Sequence, residues 1–156
     1  MKKLLFCPIL ILLLVACSPG ASPETDIQTV VSFDRTADSV PEPDNSISVD
    51  KRVKVILNVA PEAGKDVAVT YATVNGSATA GVDYLPASGQ LIFPAGSSQP
   101  QSFDMTILGN NLNEPDREFI VFLTNPENAT VGIPGAITIT ILDNGTAPAT
   151  NTPMPS

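Results

Sequence analysis

The 156-residue chain has no histidine, only two cysteines, and no long apolar run beyond its first fifteen residues. Without histidine it lacks the usual general base near neutral pH, the base of Ser-His-Asp and Cys-His nucleophile systems, and the commonest zinc ligand. Most hydrolase chemistry is excluded on that ground. Carboxylate-only catalysis of the glycosidase kind stays formally open, because there are sixteen Asp and Glu residues, but a domain this small would struggle to build a sugar cleft around a carboxylate pair. The expectation is therefore a protein that is not an enzyme. Basic residues are also scarce. Of the eight, Lys2 and Lys3 stand at the start of the chain, and without them six basic residues face sixteen acidic ones, a formal charge of −10. Nucleic acid and anionic lipid surfaces are poor electrostatic partners for such a chain, whereas divalent cations and cationic partners suit it.

What is present at the N-terminus is a basic start, Met1-Lys2-Lys3, followed by an apolar stretch from Leu4 to Val15. This is the layout of a secretory signal peptide, and the stretch falls short of the roughly 20 apolar residues a membrane-spanning helix needs. The sequence Leu14-Val15-Ala16-Cys17 resembles the lipobox of bacterial lipoproteins. The resemblance implies a signal peptide over residues 1–16 and lipidation of Cys17, giving a lipoprotein held at the membrane of the cell envelope and facing the periplasm or the exterior. Several acyl chains on one cysteine anchor a protein stably where a single chain is marginal. Cys7 would be lost with the signal, so no disulfide within one mature chain is available and the core alone must hold the fold. Residues 17–28, rich in Ser, Pro and Gly, read as a flexible tether, and residues 145–156, rich in Thr and Pro, as a disordered tail.

Between these ends the sequence alternates with period two, carries many β-branched residues, and is punctuated by turn clusters. Strands are expected at Thr29–Arg35, Ser46–Ala60, Asp66–Val74, Gln90–Pro94, Gln101–Leu108, Glu118–Asn125 and Ala136–Leu142. About seven antiparallel strands in residues 29–144 is the size and count of an immunoglobulin-like β-sandwich. Val53, Val55, Leu57 and Val59 share one face of their strand, as do Phe119, Val121 and Leu123 of theirs, and these are packing positions. Ile120 and Phe122 lie on the opposite face, where either neighbouring side chains cover them or a partner protein meets them.

Two stretches are more specific. Gly76-Ser77-Ala78-Thr79-Ala80-Gly81-Val82-Asp83-Tyr84 precedes Ser88-Gly89-Gln90-Leu91-Ile92-Phe93, and Asn113-Glu114-Pro115-Asp116-Arg117-Glu118-Phe119-Ile120-Val121-Phe122-Leu123 precedes a last strand ending Ile141-Leu142-Asp143-Asn144. This pattern resembles the Calx-beta domain family. The resemblance implies an immunoglobulin-like sandwich whose loops at one end bind Ca2+ through clustered carboxylates. Carried over position by position, the candidate ligands are Glu42, Asp83, Asn110, Glu114 and Asp143. Each carboxylate lies at a strand end, and carboxylate oxygen is the hard donor that calcium requires.

Three positions depart from the pattern. Asn110 and Asn111 are uncharged where acids are common, and Arg117 stands where the family carries a second glutamate. An asparagine carbonyl coordinates calcium without adding charge, so Asn110 weakens a site without abolishing it. A guanidinium neutralises carboxylates itself. Two readings follow. In one, the domain binds at most one calcium, with a dissociation constant of about 10⁻⁴ to 10⁻³ M. In the other, Arg117 pairs with Glu114 or Asp83 and the module is a calcium-independent adhesive or scaffold domain.

Overall fold

A computed structural model describes residues 27–44, 47–110 and 112–145. The expected signal peptide, Cys17, most of the tether and all of the tail past Gly145 lie outside these residues. Among the described residues there is no helix, and so none long and apolar enough to cross a membrane.

The described residues form nine strands: β1 (Val30–Phe33), β2 (Ala37–Pro41), β3 (Ser48–Leu57), β4 (Val67–Asn75), β5 (Ser88–Phe93), β6 (Gln101–Leu108), β7 (Arg117–Glu127), β8 (Thr130–Val131) and β9 (Ala136–Leu142). They build two sheets, ordered β6-β3-β1-β8 and β2-β9-β7-β4-β5. The all-β sandwich is as expected, but seven antiparallel strands become nine, and two pairings, β1 with β8 and β2 with β9, are parallel.

The two extra strands have plain causes. After pairing with β3 as far as Phe33, the chain crosses to the other sheet and continues as β2. β2 reads Ala-Asp-Ser-Val-Pro and buries only Val40 fully, so it carries no alternation to read. β8 is two residues long, below any periodic signal. The expected strand at Ser46–Ala60 is shorter in fact because Asn58 ends it. The Asn58 Oδ1 accepts from the Val30 N–H at 2.7 Å, and its Nδ2 donates to the Gln28 carbonyl at 3.2 Å.

The inward residues of both sheets interleave as one core. Val31, Val55, Val67, Val69, Ile107, Phe119, Val121 and Ile139 have no exposed surface, and each such side chain contributes about 1.5–3 kcal/mol from burial. Tyr84 stacks on Phe119 with ring centroids 4.0 Å apart, and its hydroxyl donates to Asn75 Oδ1 at 2.6 Å. This pair pins the β4–β5 loop to the start of β7, the two places from which Asp83 and Arg117 project. Ile120 and Phe122 lie on the outer face, half-buried and 38% exposed respectively, beside Val74, Ala72, Thr138 and Ala136 of β4 and β9.

Candidate cation site at the loop end

Four acids arrive at one end of the sandwich from four separate chain segments. Glu42 follows β2 directly. Its N–H donates to the Leu142 carbonyl at 2.8 Å, continuing the parallel β2–β9 pairing by one residue and setting Glu42 beside Asp143. Asp83 sits in the β4–β5 loop, where its Oδ2 accepts from the Thr79 N–H at 2.7 Å and its own N–H donates to the Thr79 carbonyl at 2.9 Å. Gly81, at φ +82°, supplies the left-handed turn inside that closed loop. Glu114 precedes β7, and its N–H donates to Asp143 Oδ1 at 3.1 Å. Asp143 follows β9; its N–H donates to Asp116 Oδ1 at 3.0 Å, and its Oδ2 accepts from the Gly145 N–H at 3.2 Å.

These four carboxylates, with Pro115, Arg117 and Ile141, line a single cavity of about 10 Å³. That is space for about one water molecule. Two carboxylates about 4 Å apart repel by roughly 4 kcal/mol at an effective dielectric of about 20, so the convergence needs a counter-charge.

Arg117, the first residue of β7, supplies it. Its Nη1 donates to both oxygens of Asp83, at 3.0 and 3.2 Å, and its Nη2 donates to Glu114 Oε1. Asp83 is 4% exposed, so its charge is held by this guanidinium and not by solvent. Glu42, also buried, turns toward Asn110: its Oε1 accepts from the Asn110 N–H at 3.1 Å and from Nδ2 at 2.5 Å. The remaining oxygen of Asn110 accepts from the Leu112 N–H at 2.6 Å. Burial pushes the Glu42 carboxyl above its ordinary value, and the negative charges of Asp143 and Glu114 push in the same direction, against the Asn110 N–H that pulls it down.

A calcium ion takes about six to eight oxygens at 2.3–2.6 Å. The arrangement does not fit one. Asp83 and Glu114 face guanidinium nitrogens, and the side chain of Asn110 is engaged at both its nitrogen and its oxygen. Among the described residues, no group of three or more His, Cys, Asp or Glu is disposed to hold a metal. The structure thus brings Glu42, Asp83, Glu114 and Asp143 together, puts Asn110 on the rim as a donor to Glu42, and seats Arg117 between two of the acids. Cys17 lies outside the described residues.

Sequence reasoning passed over Asp116, which fixes Asp143, and Gly109. A Cβ on Gly109 would stand 2.1 Å from the Pro43 carbonyl oxygen and 2.4 Å from that of Asp44. Only a residue without a side chain lets the segment after Glu42 pass so close to Asn110. A glycine directly after a strand was the available signal.

Comparison with known proteins follows the same lines. The family model described as the Calx-beta domain matches residues 24–145. The sodium/calcium exchanger Calx of Drosophila melanogaster is 35% identical over 77 residues, which cover 49% of this chain and 8% of the exchanger. The chain thus matches only a small part of that relative's length. Among solved structures, the apo-form Calx CBD1 domain superposes with a TM-score of 0.65 at 27% identity, over 75% of this chain and 98% of that one. The calcium binding domain CBD12 of CALX1.1 gives 0.63 at 28% identity, over 72% and 44%. The Calx CBD2 domain gives 0.61 at 20% identity, a likeness of fold, over 74% and 86%.

Proposed function

The chain belongs to the Calx-beta domain family, related to the calcium-binding domains of sodium/calcium exchangers, and we propose that it is a lipid-anchored display module of the cell envelope that works without calcium. The observation that carries this reading is Arg117, whose guanidinium bridges Asp83 and Glu114 at the centre of the acidic cluster. A covalently attached cation orders the loop end permanently, where a bound metal would order it conditionally. Recognition of a protein partner then falls to a surface away from that end, and the face carrying Ile120 and Phe122 is the candidate. Anchoring rests on Cys17 and the lipobox around it.

Calorimetric titration with calcium, run beside thermal unfolding, tests the calcium half. The natural chain should give no heat and no shift in Tm at about 5 mM calcium, since any ligand of the folded state raises stability at saturation. Arg117→Glu should instead unfold more easily without calcium and recover with it. A calcium-dependent rise in Tm of the unaltered protein would overturn the proposal. For the anchor, Cys17→Ser should move the protein from the detergent phase to the aqueous phase on phase partitioning; unchanged partitioning would dismiss lipidation at Cys17.

One observation favours a second reading. A single guanidinium faces four carboxylates, and Glu42 feels the surplus, being pushed up by Asp143 and Glu114 after burial. On this reading a weakly held calcium, at about 10⁻⁴ to 10⁻³ M, relieves Glu42, Glu114 and Asp143 while Arg117 keeps Asp83. Heat of binding in that range, abolished by Asp143→Asn, would select it.

A further inference from the structure

The cations of the domain are not spread evenly. Of the six basic residues after Lys3, four, namely Arg35, Lys51, Arg52 and Lys54, line one cleft of about 390 Å³ on the flank of the sandwich. The cleft opens where the chain leaves β3 to cross from β1 to β2: β1 pairs with β3 only as far as Phe33 opposite Val55, and Lys51 reaches over to the Ser39 carbonyl at 2.9 Å. Two carboxylates, Asp34 and Asp38, share the lining with the four cations, and a third, Asp104, pairs with Arg52 beside it, so the local formal charge is +1 on a strongly acidic chain.

The hydrogen bonds within the cleft leave donors over. Arg35 spends Nε and Nη2 on Asp34 and Nη1 on Asp38, Arg52 spends two nitrogens on Asp104, and the Lys51 ammonium serves Asp38 at 2.9 Å as well as the Ser39 carbonyl. A guanidinium carries five N–H donors and an ammonium three. Lys54 is 53% exposed and stands 3.7 Å from its carboxylate, Asp34, beyond hydrogen-bond reach. Gln101 and Ser102 add a neutral amide and a hydroxyl to the wall, and the buried Val53 and Ile137 close the floor. The volume falls in the range of small-molecule sites, about 300–1,000 Å³.

We propose that this cleft binds a small hydroxylated anion, a sugar carrying a carboxylate or a phosphate ester. Lys54, the free N–H groups of Arg35 and the one N–H that Lys51 has left take the anionic group. Asp34 and Asp38 accept from hydroxyls, and Gln101 and Ser102 complete the contacts to the ring. A bare inorganic anion uses only the cations, and a neutral sugar only the rest; a ligand with both features uses the whole lining. The site is separate from the loop-end cluster and independent of the calcium question.

Titration of the chain with glucuronate and with glucose 6-phosphate at low salt tests this, with glucose and inorganic phosphate as controls. Both anionic sugars should bind, and each control should bind at least about fivefold more weakly, the loss of one exposed charge contact or its neutral counterpart. Because Arg35, Arg52 and Lys54 are exposed, raising sodium chloride from about 20 to about 300 mM should weaken binding severalfold. Lys54→Gln, at an exposed position, should weaken it about fivefold with Tm unchanged. Which of the two anionic sugars binds more tightly distinguishes carboxylate from phosphate. The proposal is overturned if neither binds, if glucose or phosphate binds as well as they do, or if Lys54→Gln leaves binding as it was.

Discussion

The loop-end cluster and the flank cleft are both ion-pair networks, yet they are built on opposite terms. At the loop end one cation serves several acids, Asp83 and Glu42 are buried, and a carboxyl is pushed up. In the cleft cations outnumber acids, Arg35, Arg52 and Lys54 are exposed, and the carboxyl of Asp38, though burial raises it, is held below its ordinary value by Lys51 and Arg35. Burial decides what each network is worth. A pair cut off from water cannot trade its partner for solvent, so losing one member is costly, whereas an exposed pair loses little.

The sharpest way to break that contrast is Arg117→Ala. It strands Asp83 without its cation and should lower the stability of the domain by about 3 kcal/mol, read from chemical denaturation. A loss under about 1 kcal/mol would mean that Asp83 finds solvent and that the two networks differ in name only. Glu42→Gln comes next, with the opposite sign. The Glu42 carboxyl titrates above its unfolded value of about 4.5. Its charge therefore costs stability at neutral pH, and the cost vanishes as pH falls through the folded value toward the unfolded one. The substitution keeps an oxygen for Asn110 and should raise Tm by roughly 2–4 °C at pH 7, with the gain shrinking toward pH 4. A gain that persists at low pH would point to packing instead of charge. The smallest effect belongs to the cleft: Arg52→Gln removes an exposed two-point contact with Asp104 and should leave the denaturation midpoint where it is. A clear fall there would make the cleft a structural network and narrow the contrast.

Much of the sandwich was legible because alternation is a local signal. β6 and β9 lie where the period-two pattern puts them, and every inward residue quoted for β7 is buried. β2 was not legible, because it is held by its pairing to β9 and by one inward valine, neither of which marks a five-residue segment as a strand. At the site, the four acids could be named from motif and strand-end position, and Arg117 stood out as a departure. What the sequence could not decide was which acid Arg117 takes. That depends on the Tyr84–Asn75 bond and the closed Thr79–Asp83 loop, which fix where Asp83 stands relative to the start of β7. The cleft was further from view. Arg35 and the Lys51–Lys54 stretch meet only because the chain changes sheets between β1 and β2, and no periodicity in the sequence announces that crossing.

That change of sheet also sets how the domain would carry a pull. The first strand starts at Val30, beside Asn58 and Thr130, and the last ends at Leu142, at the end where Ser48 begins β3. Entry and exit are therefore separated by about the ten residues of β3, some 30 Å of strand. Tension between them draws β1 along β3 and β9 along β7 and β2, sliding neighbouring strands lengthwise. The hydrogen bonds of each ladder then share the load together instead of opening one after another, which makes the module a stiff link in whatever line it joins.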